Sequence, residues 1–176
     1  MTTGTTGTTR TIALLRHAKS DWPEGVADLK RPLALRGRRD APVAGRLLRD
    51  RIGEPDLVLV SPAQRTRETW QLAAAAYPHV PHTEIADDVY DASVDDLLLL
   101  LRATSADRRS VVVIGHNPGL EELAFSLSDA TGDPEAIKAM GTKFPTSALA
   151  VLRTQRAWAH LVAESCVLQS FDVARG

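Results

Sequence analysis

The stretch TIALLRHAKS, residues 11–20, decides the fold. Ile12, Ala13, Leu14 and Leu15 run together without alternation, the pattern of a strand covered on both faces. Such strands belong to sheets sandwiched between helices. The run then stops at Arg16-His17, two polar groups at the strand's carboxyl end. In an open α/β sheet, that end is where ligands bind.

The pattern repeats along the chain. DLVLV (56–60) reads as a second buried strand and ends on Ser61-Pro62, with Arg65 shortly after. RRSVVVIGHNPG holds a third, residues 111–114, followed by Gly115-His116. Between them lie helical spacings. LRGRRDAPVAGRLLRDRIG (35–53) puts Val43, Leu47, Leu48 and Ile52 on one face, with Pro42 near the start and Gly53 at the end. In SPAQRTRETWQLAAAAY, Ser61 is the expected N-cap and Pro62 the first helical residue. VDDLLLLLRAT reads as a helix preceded by Ser93, and LEELAFSLSDATG as another. HTEIADDVYDAS reads as a short strand and loop, and 133–145 as irregular or partly helical. SALAVLR and AWAHLVAESCVL read as two final strands, an antiparallel pair. Strands alternating with helices predict an α/β three-layer sandwich with a mostly parallel central sheet and helices on both faces.

Three strand ends therefore deliver His17, His116, Arg16 and Arg65 to one edge. Histidine can be a nucleophile, an acid or base, or a metal ligand. Arginines at the same edge repel a metal and favour phosphate, whose oxygens they grip in a fork. Helix N-termini just after the strands add N–H donors for the same anion. Each residue taken singly also has a plain reading, as a loop histidine or a solvated charge. The combination points to a phosphoryl site with an imidazole placed to attack.

LLRHAKS, SPAQRTRET and VIGHNPG, in that order, resemble the histidine phosphatase superfamily, which has the phosphoglycerate mutase-like fold. DLKRPLALRG (28–37), DDVYDAS (87–93) and KFPTSALAVL (143–152) are similar to its SixA-like branch of phosphohistidine phosphatases. The resemblance spans about residues 11–165. It implies that His17 accepts the phosphoryl group and that Arg16 and Arg65 hold the non-bridging oxygens. His116 would donate a hydrogen bond to the phosphate, and Arg31 would be a third arginine. No cofactor or metal is implied, since two or three arginines can neutralise the charge in transfer. His17 must be neutral at the attacking nitrogen, so its other nitrogen should meet a carbonyl.

Two departures stand out. Ala18 replaces the glycine that many members carry after the first histidine. The proton donor of larger members has Asp88 as its nearest counterpart, in a segment that could equally be a solvated loop. A P–N bond leaves more readily than an alkoxide, so a weak acid fits phosphohistidine better than a sugar phosphate. No long insertion forms a lid, which suits a phosphorylated protein or a small phosphoester.

Composition narrows the rest. The chain has 176 residues, 44% of them hydrophobic, with a formal net charge of −1, so a nucleic-acid binder is not expected. The expected organisation is a disordered Thr/Gly leader at 1–10 and one domain at 11–176, monomeric. Cys166 is the lone cysteine and reads as core; no internal disulfide is possible. No apolar run spans a membrane and the leader lacks a signal sequence, so a cytoplasmic protein is expected. His79 and His82 lack further ligands for a metal, His160 reads as a structural strand residue, and Trp70 reads as core. Six arginines around 35–51 read as a solvated face paired with Asp40 and Asp50, or as a dock for an acidic partner. The expected activity is a metal-independent phosphatase acting through a histidine nucleophile, with protein phosphohistidine as substrate. The rivals are a small-molecule phosphomonoesterase on the same site and a non-catalytic module that binds phosphoproteins.

Overall fold

The computed structural model of the chain describes residues 8–176, so residues 1–7 of the expected leader lie outside the described residues. Among the described residues, six strands form one sheet: β1 (Arg10–Arg16), β2 (Leu57–Val60), β3 (Thr83–Ile85), β4 (Ser110–Gly115), β5 (Ala148–Thr154) and β6 (Val167–Val173). Their order is β3-β2-β4-β1-β5-β6. β1 to β4 are parallel, β5 runs antiparallel to β1, and β6 antiparallel to β5. The helices are α1 (Leu35–Ile52), α2 (Gln64–Ala73), α3 (Val94–Arg102), α4 (Gly119–Leu127) and α5 (Pro134–Thr142). Among the described residues no helix is long and apolar enough to cross a membrane.

Successive side chains on a strand point to opposite faces, so each central strand feeds two cores. Ile12 and Leu14 of β1 join Val111 and Val113 of β4 against Leu97, Leu120, Leu123 and Met140 of the α3–α5 layer. Ala13 and Leu15 join Val112 and Ile114 against Ala44, Leu48, Trp70 and Ala73 of α1 and α2. The three layers and the mostly parallel sheet follow. Burial on both faces is why these strands read as unbroken apolar runs.

Several local expectations need correction. α1 starts at Leu35, which leaves Pro42 in the helix interior rather than near its start. Its buried face is Gly37, Asp40, Ala41, Ala44, Gly45 and Leu48; Val43, Leu47 and Ile52 are only partly covered. Close approach explains the small residues. A Cβ on Gly45 would collide with the Ala73 carbonyl of α2, and one on Gly37 with the Lys19 carbonyl of the loop after His17. α2 begins at Gln64, so neither Ser61 nor Pro62 caps or opens it. Residues 134–142 form a true helix, capped by the Asp133 side chain on the Ala136 N–H.

The last strand is displaced. Trp158–His160 form a short 3₁₀ turn, and β6 does not begin until Val167. Trp158 and Leu161, three residues apart, dip into the core from this turn, the spacing of a 3₁₀ helix rather than of a strand. His160 is exposed there. Cys166 and Trp70 are buried, as expected. The arginines of α1 are spread around the helix: Arg36 lies 3.7 Å from the wholly buried Asp40, Arg38 pairs with Glu68 at 3.2 Å, and Arg51 grips Asp172 at 2.6 Å.

Candidate active site

Register puts the site together. Arg16 stands opposite Gly115 across β1 and β4, so His17 and His116 leave the sheet side by side. The ladder continues one step into the loops. The His17 N–H bonds to the Gly115 carbonyl at 3.1 Å and the Ser61 N–H to the Ile114 carbonyl at 3.0 Å. The two imidazole centroids are 5.2 Å apart. Ser147, in left-handed backbone at φ 62°, aims its N–H at the Arg16 and His17 carbonyls, at 3.2 and 3.1 Å. Thr69 of α2 accepts the Ala18 N–H at 3.0 Å. The backbone around His17 is thus pinned from β4, from Ser147 just before β5, and from α2.

His17 is 8% exposed, and its Nδ1 lies 2.7 Å from the Ala18 carbonyl. A carbonyl only accepts, so Nδ1 carries the proton and Nε2 keeps a free lone pair. Burial pushes the His17 pKa down to about 3; the Ala18 carbonyl opposes this, while His116, Arg65 and Arg16 add to it. The ring is neutral at pH 7. His116 is pushed down to about 4, first by burial and then by Arg65, with Asp28 opposing. Its Nε2 meets the hydroxyl of Ser61, wholly buried, at 2.8 Å.

The arginines differ in their anchoring. Arg16 bonds through Nη1 to the Phe144 carbonyl at 2.8 Å. Arg65, in the first turn of α2 and 5% exposed, bonds to the Asp28 carbonyl at 2.8 Å and its carboxylate at 3.0 Å. Arg31 donates to Ser20 at 2.7 Å, to the Asp28 carboxylate at 2.9 Å and to the Asp21 carbonyl at 3.1 Å. Its guanidinium lies 3.5 Å from the ring centre of Trp22. Arg16, His17, Arg31, Arg65 and His116 all line one cleft of about 510 Å³. Neutral imidazole and three guanidiniums can receive a phosphoryl group.

Asp88 is not brought into this cleft. It sits exposed on the 3₁₀ turn Asp87–Val89 and lines the neighbouring pocket with Asp96 and Leu99. Val89 takes the inward direction of that turn, and Tyr90 and Asp91 reach the cleft instead. The sequence reading missed Asp28, Tyr90 and the role of Ser61. Asp28 had a signal, the i, i+3 pairing with Arg31 in DLKR. Partial burial works to raise the Asp28 pKa, but hydrogen bonds from Tyr90, Arg31 and Arg65 outweigh it and hold the carboxyl well below its usual range. His79 and His82 are on the surface, His82 bonded to Glu84 at 2.9 Å.

Comparison with known proteins points the same way. The family profile of the Histidine phosphatase superfamily (branch 1) matches residues 12–91. An uncharacterised protein of Mycobacterium leprae is 36% identical over 165 residues, which is 92% of this chain and 100% of the relative. The structure of a SixA of Nakamurella multipartitia, assigned as a phosphohistidine phosphatase, superposes with a TM-score of 0.82 at 31% identity, covering 94% of this chain and 96% of that one. Phosphoglycerate mutase of Plasmodium falciparum shares the fold at a TM-score of 0.58 and 15% identity, over 96% of this chain and 94% of its own.

Proposed function

The chain belongs to the histidine phosphatase superfamily, in its SixA-like branch, and is a phosphatase; from that premise we propose that it removes the phosphoryl group from phosphohistidine on a protein, by way of a phosphorylated His17. The observation that carries this reading is the bond between His17 Nδ1 and the Ala18 carbonyl, which leaves Nε2 unprotonated within a ring of guanidiniums.

In the first step Nε2 of His17 attacks phosphorus while the bond to the substrate's ring nitrogen breaks, its electron pair returning to that ring. Arg16, Arg31 and Arg65 hold the non-bridging oxygens. His116, oriented by Ser61, supplies a further hydrogen bond as charge spreads over them. In the second step water attacks the phosphorylated His17, orthophosphate leaves, and the neutral ring returns with Nδ1–H still donating to the Ala18 carbonyl. No metal enters either step.

The substrate class is supported by the state of Asp28. Asp28 is held as an anion by three donors, which makes it a poor acid for an alkoxide leaving group. A phosphoramidate does not need one. The likeness to the SixA structure agrees. The test is side-by-side hydrolysis of a phosphohistidine-bearing carrier protein and para-nitrophenyl phosphate, with EDTA present and His17→Ala as control. Fast loss from the carrier, slow loss from the phenyl ester and an inert variant are expected. A strong ester rate with an untouched carrier would assign the site to small phosphoesters. No His17-dependent turnover of either would contradict the proposal.

A further inference from the structure

We propose that Asp28 is a specificity-determining residue: its carboxylate favours substrates whose leaving group carries a proton or positive charge over those whose leaving group carries a second anion. This rests on the phosphohistidine reading above. Two of the arginines assigned to the phosphate are held by this one side chain, Arg31 through Oδ1 at 2.9 Å and Arg65 through Oδ2 at 3.0 Å. The Tyr90 hydroxyl donates to Oδ2 at 2.7 Å. The ring of Tyr90 stands edge-on to His116 with centroids 5.6 Å apart, so the carboxylate is linked to the second histidine through Tyr90.

A carboxylate offers about four acceptor positions. Three are filled, and the remaining one is on Oδ1. The side chain is 43% exposed and lines the cleft, so that position is within reach of a bound molecule. Asp91 lines the same cleft. The cleft therefore carries two carboxylates, Asp28 and Asp91, among its guanidiniums and Lys19.

A fixed negative charge next to a phosphate site weakens the binding of every anion, and most of all one with a second negative group. It has the opposite effect on a protonated imidazole. When the P–N bond breaks, its electron pair goes to the substrate's ring nitrogen. The ring departs as neutral imidazole only if its other nitrogen already carries a proton. In that reactive form the ring is a cation, and an acceptor on Asp28 Oδ1 can pair with it. An ester carrying a carboxylate would meet repulsion at the same place.

The experiment measures kcat/KM for the wild type, Asp28→Asn and Asp28→Glu on a phosphohistidine peptide, para-nitrophenyl phosphate and 3-phosphoglycerate. For Asp28→Asn the ratio of phosphohistidine to phenyl ester is expected to fall at least about tenfold, while the ratio of 3-phosphoglycerate to phenyl ester rises. Asp28→Glu, which keeps the charge, should hold both ratios nearer the wild type. An equal loss on all three substrates in Asp28→Asn would overturn the proposal and leave Asp28 as a brace for the arginines. Unchanged ratios would overturn it as well. A wild type that hydrolyses esters but not phosphohistidine would remove the substrate assignment alone. The ratio between the two esters would still decide whether Asp28 selects by charge.

Discussion

The floor of the cleft and the strap beside it are built in different ways. The floor, formed by the loops after β1, β2 and β4, carries His17, Ser61 and His116 on backbone that continues the sheet's hydrogen-bond ladder. The strap, residues 18–34, carries Trp22, Asp28 and Arg31, which hold one another through side chains. His17 and Ser61 are buried, whereas Trp22 is 71% exposed. Backbone anchoring in a packed core fixes position to the accuracy that phosphoryl transfer needs. Side-chain pairs at a surface hold more loosely and can change partners when a substrate arrives. The floor is suited to the chemistry, and the strap to the choice of substrate.

Mutations that separate the two regions sharpen this contrast. The largest effect belongs to His17→Ala, which should lower kcat by about 10⁴-fold or more in steady-state assays, while inorganic phosphate still binds. Arg65→Ala, also on the floor side, should cost about 10²- to 10³-fold in kcat/KM, the range for losing a donor to developing charge. Arg31→Ala on the strap should cost less, about 10- to 100-fold and mainly in KM, because Arg31 is held only by other strap residues, Ser20, Asp21 and Asp28, whereas Arg65 is anchored in the first turn of α2. An Arg31→Ala loss as large as that of Arg65→Ala would break the distinction between floor and strap.

Smaller effects test the tuning of the histidines. Ser61→Ala should lower kcat about 3- to 10-fold, because it frees the orientation of His116. The pH dependence of kcat/KM for the free enzyme should be flat from neutral pH down to about pH 5, after allowance for the substrate's own ionisation. It should then fall as His17, near 3, takes up a proton on its attacking nitrogen. The sign follows from the depressed pKa values: the unprotonated rings persist well below the usual histidine range, and acid removes the nucleophile. An acid limb centred near pH 6.5, the ordinary histidine value, would contradict the buried, neutral floor.

Legibility in the sequence follows the same division. The floor was readable because its cause is local: an unbroken apolar run gives a strand buried on both faces, and the residue after it falls at the ligand-binding edge. β1, β2 and β4 were found this way, and Arg16, His17, Arg65 and His116, expected at their ends, line one cleft; Ser93, read only as preceding a helix, makes a full capping box with Asp96. The strap was poorly readable. Arg31 was identified from a motif, but Asp28 three residues earlier looks like any exposed loop charge, and its meaning depends on Arg65 and Tyr90, 37 and 62 residues away. Asp88 misled because a turn sends Val89 inward, and only the following residues reach the cleft. Ser61 matched the pattern of a helix cap, yet its hydroxyl serves His116. The misplaced final strand had a similar origin, since Trp158 and Leu161 are buried from a turn rather than from a sheet.

The most direct test of the central claim is rapid-quench trapping of the phosphoenzyme, using radiolabelled phosphohistidine carrier protein and quenching in alkali, where a phosphohistidine survives. Label is expected on the wild-type chain within the first turnover, mapped by peptide analysis to His17 and missing from His17→Ala. Turnover at the full rate with no label on His17 would contradict it, because water would then be attacking the substrate without the covalent step on which the floor's geometry has been read.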